Sequence, residues 1–129
     1  MDLRLETTGG FGRQAEVWVG GVLLRVMDQY SSPGRPATPG VLDDAAFTYH
    51  SDERVSWEQA AAGNRAKRRL LDPVRSWRYV GYGRVVGIMP VVIDFGLVEM
   101  EDANWTNDET LIGRYVRVPI DRLTLVRGT

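Results

Sequence analysis

At 129 residues the chain has the length of one domain, long enough to bury a core without staples. Its hydrophobic fraction of 43% and charged fraction of 26% are those of a folded protein, and the absence of cysteine excludes disulfides, thiolate nucleophiles and sulfur-based zinc sites. The net charge of −1 hides a division: residues 1–53 hold four Arg and eight acids, residues 54–84 eight basic and two acidic side chains, and residues 85–129 four Arg and seven acids. A dedicated nucleic-acid binder is usually basic overall, so any such role here falls to a local patch.

In chain order, the opening MDLRLETTGG holds no apolar stretch of the length a secretory signal needs, and LRLET at 3–7 alternates as a strand does. The clearest local signal follows. In QAEVWVGGVLLRVMD (14–28) two β-rich runs flank Gly20-Gly21, a two-residue loop suited to a primed turn. Pairing across it sets Val19 against Val22, Trp18 against Leu23, Val17 against Leu24, Glu16 against Arg25 and Ala15 against Val26. One face is then wholly apolar, and the register is specified.

Residues 30–44 hold three of the six prolines and read as a long loop, of the kind that is either functional or disordered. AFTYH (46–50) reads as a short strand. Ser56 and Gln59 match a capping box, which starts a helix that Pro73 stops, giving a helix to about residue 71 with Trp57, Ala60, Ala61 and Leu71 on its apolar side. WRYVGYGRVVGI (77–88) is a strand, Met89-Pro90 a turn, and VVIDFGLVEME (91–101) a further strand. Residues 102–109 form a polar loop. GRYVRV (113–118), a turn at 119–121 and RLTLV (122–126) complete the sheet. The longest nearly apolar run, VVGIMPVVI (85–93), is half a membrane span, so no membrane partner and a cytoplasmic location are expected.

These elements predict a mainly β protein: one domain over 1–129, a small antiparallel β-barrel or half-barrel with one helix at about 57–71. The order of strands, one helix and further strands resembles the element order of an OB-fold, which closes a five-stranded barrel with such a helix.

The chemistry-bearing residues are sparse. His50 is the single histidine, and no G-x-S-x-G elbow accompanies it. Asp102, Asn104, Thr106 and Asp108 alternate like calcium ligands, but Asn107 stands where a Gly is required and Gly113 where a bidentate Glu is required. Gly81, Gly83 and Gly87 are spaced G-x-G-x-x-x-G inside a strand, so they bend or accommodate rather than cradle phosphate. Two carboxylate pairs, Asp43 with Asp44 and Glu99 with Glu101, leave a small hydrolase as a third reading. No cofactor is expected.

RAKRRLLDPVRSWRYVGYGRVVG (65–87) is the unusual stretch, with seven basic side chains and one acid. On a helix, Arg65, Lys67, Arg68 and Arg69 spread over about 200° of arc. They gather near the helix C-terminus, where cations oppose the dipole, and the Arg68 stem packs toward Trp57 and Ala61. On the strand, Trp77, Tyr79, Gly81, Gly83 and Val85 share a core face, and Arg78, Val80, Tyr82, Arg84 and Val86 share the other. Arg78, Tyr82 and Arg84 are the first candidates for binding, then Arg65 and Arg69. Trp105 is another candidate, with the reading that it tucks under its loop preferred. A non-catalytic interaction module with a protein partner is favoured, and a single-stranded nucleic-acid binder is the alternative, because Tyr, Trp and Arg serve both.

Overall fold

The computed structural model describes residues 2–53 and 55–128; Arg54, counted in the basic block, lies outside them. The protein is mainly β. The hairpin predicted from 14–28 is present as β2 (Gln14–Val19) and β3 (Val22–Gln29), paired in the predicted register from Val19 with Val22 to Gln14 with Met27. Gly20 and Gly21 have φ of 53° and 80°, the pair of positive values a primed turn needs. Ala15, Val17, Val19, Leu24 and Val26 are buried, while Val22, beside the turn, is exposed.

Around this hairpin forms a six-stranded sheet in the order β4-β1-β2-β3-β11-β5. Its other members are β1 (Leu3–Thr8), β4 (Gly40–Leu42), β5 (Ala45–His50) and β11 (Arg122–Arg127). β11 runs parallel to β3 and antiparallel to β5. The second sheet is antiparallel and curls as a half-barrel. Its spine is the ten-residue β7 (Arg78–Gly87). β10 (Tyr115–Ile120) lies along one edge of β7, and β6 (Leu70–Arg75) and β8 (Val92–Asp94) share the other, with β9 (Glu99–Glu101) beyond β8. Asp121 alone separates β10 from β11, so the chain passes directly between sheets, and the predicted turn at 119–121 shrinks because Pro119 sits in the ladder opposite Val80.

The core lies between the sheets, with Phe95, Ile93, Val17, Leu24, Leu123 and Leu125 fully buried. The inner-face glycines of β7 make room for it. A Cβ on Gly81 would stand 2.5 Å from Phe95 Cε1, and one on Gly83 would stand 2.5 Å from Ile93 Cγ2 and 2.7 Å from the Asp94 carbonyl oxygen. The G-x-G spacing is therefore a packing requirement.

Four sequence expectations are corrected. The helix α1 (Trp57–Ala62) has the capping box but ends at Gly63, and five strands precede it. Leu71 belongs to β6, where Pro73 is tolerated because β6 pairs only with β7. The run 91–101 folds back on itself as β8 and β9, with Gly96 at φ 86° in the turn. The 30–44 loop contains β4 and is anchored by Asp28, whose buried carboxylate accepts from Thr8 Oγ1, Tyr30 N, Ser31 N and Ser31 Oγ.

Candidate functional site

Alternation along β7 buries Tyr79, Gly81, Gly83 and Val85 and turns Arg78, Tyr82 and Arg84 outward, as the sequence requires. Arg78 and Arg84 are exposed and Tyr82 half-buried. The row is long: Arg84 lies six strand positions beyond Arg78, about 20 Å. Arg78 is close to Asp121, at 3.6 Å, and belongs to one end of the sheet. Arg84 and Tyr82 belong to the other.

What surrounds Tyr82 comes from elsewhere in the chain. The Arg68 guanidinium lies over its ring, 4.8 Å from the centroid. Arg117, its partner in register on β10, donates from Nε to the Tyr82 hydroxyl at 3.4 Å. Arg84 faces Tyr115 on β10, and its Nη2 lies 3.7 Å from where a Cβ on Gly113 would be. Beside Gly113 a dent of about 250 Å³ is lined by Arg65, Lys67, Arg114 and Tyr115.

The loop carrying Arg65, Lys67 and Arg68 is held by one side chain. Asn64 is buried; its amide donates to the carbonyls of Arg68 (2.9 Å) and Val116 (3.1 Å), and its Oδ1 accepts from Arg68 N (2.9 Å). This closes the loop after α1 and ties it to β10. It corrects the expectation that Arg65 and Arg69 sit on a helix. Their cations do not answer a helix dipole, and Arg68 packs on Tyr82 instead of beside Trp57. Asn64 satisfies backbone groups that a continued helix would have satisfied, and Gly63, whose Cβ would meet Arg117 at 3.0 Å, lets the turn close against β10.

Charge pairing divides the cations. Arg69 pairs with Asp94 at 2.9 Å, Arg127 with Asp44 at 2.8 Å and Arg25 with Glu16 at 3.7 Å. Among the described residues Arg65, Lys67, Arg68, Arg84, Arg114 and Arg117 have no carboxylate within 4 Å. All six lie on or beside the outer face of β7 and β10. Asp108 is the acid that senses Arg114. Its carboxyl is held below the usual range, chiefly by hydrogen bonds from the Thr110 hydroxyl and N–H. Arg117 was legible by the same period of two that places Tyr82, since it alternates with buried Val116 and Val118; Arg114, three residues earlier and just outside β10, has the opposite parity and was not.

No protein family, curated protein or solved structure matches this chain.

The remaining candidates are placed elsewhere. Trp105 is 69% exposed, which corrects the reading that it tucks under its loop; the 102–109 segment carries few apolar neighbours to receive it. Asp102 is buried and accepts from the Tyr49 hydroxyl and Asn104 N, so this member of the alternating acids is a structural acceptor. Burial, reinforced by Asp102, pushes the Tyr49 phenol well up. Glu99 and Glu101 flank buried Met100 and face solvent. Asp44 accepts from Tyr30 and Arg127, and the Tyr30 hydroxyl is the main reason its carboxyl titrates low. His50 Nε2 stands 2.7 Å from Asp52 on the surface. Among the described residues no group of three His, Cys, Asp or Glu could hold a metal ion, and no helix is long and apolar enough to cross a membrane.

Proposed function

We propose that the chain is a non-catalytic interaction module that binds an acidic segment of a partner protein on the outer face of β7 and β10. The observation that carries this reading is the state of Tyr82. Arg68 covers its ring and Arg117 holds its hydroxyl, and neither arginine has a carboxylate partner among the described residues. A platform for single-stranded nucleic acid presents open aromatic faces to bases. Here the ring instead positions guanidinium groups, whose forked donors match carboxylates.

The test is a titration with two probes, a ten-residue glutamate peptide and a thymidine decamer, at about 50 mM and about 200 mM salt. The glutamate peptide is expected to bind more tightly. Tyr82→Ala and Arg84→Ala are each expected to weaken it by about fivefold or more, the scale of losing one interface anchor. Tighter binding of the thymidine decamer, with a steep salt dependence, would replace this reading with the nucleic-acid one. If neither variant changes any affinity, the face is structural.

A further inference from the structure

We infer a second interaction surface, distinct from the Tyr82 face: the open edge of β3 at Leu23 accepts an extended, acid-flanked segment of a partner protein as an added strand.

Among the described residues, the hydrogen bonds of β3 leave one residue unpaired. The Tyr79 hydroxyl donates to the Arg25 carbonyl at 2.9 Å and accepts from Arg25 N–H at 2.8 Å. One phenol thus does for Arg25 what a residue on a neighbouring strand would do. Both backbone groups of Arg25 must then point away from β2. In an antiparallel pair this orientation repeats every second residue, so Leu23 and Met27 also point their N–H and C=O outward. Met27 meets β11, in register with Thr124. Leu23 meets nothing: among the described residues neither its N–H nor its C=O has a partner on that side.

Leu23 opens onto a groove of about 280 Å³ between β3 and β6. Val22, Leu24, Leu71, Pro73 and Val74 supply apolar wall, and Val22 and Val74 are 47% and 59% exposed. Arg25 and Arg75 stand on its rim, and no lining residue is acidic. Arg25 has Glu16 behind it at 3.7 Å on β2, and Arg75 has no carboxylate within 4 Å among the described residues.

Three chemical demands therefore coincide. The unmade pair at Leu23 requires extended backbone, the walls require an apolar side chain, and the rim requires acids. Strand addition supplies affinity through main-chain bonds and specificity through alternate side chains. The site is short, bounded by the Gly20-Gly21 turn on one side and by Tyr79 on the other, so it fits a segment of a few residues.

The experiment uses the full chain labelled with nitrogen-15 and a capped peptide probe, Glu-Val-Glu-Val-Glu, with Lys-Val-Lys-Val-Lys as control. The acidic probe is expected to shift the Leu23 amide and slow its hydrogen exchange, and the basic control to do neither. Leu23→Pro removes only an outward donor, because Leu23 N–H makes no bond to β2. That variant has no amide at position 23, so it is read at the Leu24 and Val74 amides of the groove, whose probe-induced shifts it is expected to abolish; Arg75→Glu, on an exposed side chain, is expected to weaken the probe by about tenfold, the scale of one charge-assisted contact. Arg84→Ala, on the Tyr82 face, should leave the Leu23 response intact, which separates this inference from the proposed function. A Leu23 amide unmoved at millimolar probe, equal response to the two peptides, or Arg75→Glu without effect would overturn it. Concentration-dependent protection of Leu23 without probe would also overturn it, by showing that a second copy occupies the edge.

Discussion

The β2–β3 hairpin and the loop from Gly63 to Arg68 are held by opposite means. The hairpin is specified many times over: period-two patterning, a Gly-Gly turn with both φ values positive, and cross-strand partners all demand one register. The 63–68 loop is specified by a single buried side chain. Its composition suits a helix, and Asn64 overrides that preference by offering the backbone of Arg68 and the edge of β10 better partners. The lesson is that stability follows distributed patterning, whereas the shape of the candidate site hangs on one residue.

The hairpin is the place where a substitution costs most. Val17→Asp buries an unpaired charge at a fully enclosed position and is expected to unfold the protein, a loss of several kcal/mol; an unchanged melting temperature would contradict the hairpin's role. Asn64→Ala is next. It strands the Val116 carbonyl and frees the basic loop, for about 2–4 kcal/mol by denaturant unfolding. It should also weaken glutamate-peptide binding, because Arg68 loses its place over Tyr82. A folded variant with full affinity would show that the loop does not depend on Asn64.

Asp28, which anchors the 30–44 loop, makes stability depend on pH. Burial pushes its carboxyl upward, but the hydrogen bonds from Thr8, Ser31 and Tyr30 outweigh burial and hold it below 3.8. A depressed folded-state value means that this stabilisation is complete above the unfolded value and is lost as pH falls through the folded one. Asp28→Asn is expected to cost about 1–3 kcal/mol at neutral pH and to flatten the stability profile below about pH 4, as read from urea midpoints. The smallest effect on stability is that of Tyr82→Ala, within about 1 kcal/mol, since the ring is half-exposed; its effect belongs to binding.

Legibility in the sequence tracks the same contrast. The faces of β7, the hairpin register and the helix cap were all readable, because each is written in local periodicity or in a capping pair. Three things were not. β6 carries a proline and little alternation, and it becomes a strand only because the edge of β7 at Arg78–Tyr82 needs a partner. β8 and β9 read as one run because their turn hinges on Gly96 alone. The candidate site was half legible: Tyr82 and Arg84 follow from alternation, whereas Arg68 reaches Tyr82 only through the Asn64 loop, a contact with no sequence signature. Arg78 and Arg69, readable as cations, turn out to sit beside Asp121 and Asp94.

The unpaired cations around Tyr82 are proposed to form one binding face. The direct measurement is a nitrogen-15 chemical-shift map of the full chain during titration with the glutamate peptide. Shifts are expected to gather on Lys67, Tyr82, Arg84, Gly113 and Arg117 and to saturate together with one dissociation constant. Shifts spread evenly over distant cations such as Arg4, Arg13 and Arg35, or centred away from Tyr82, would contradict it.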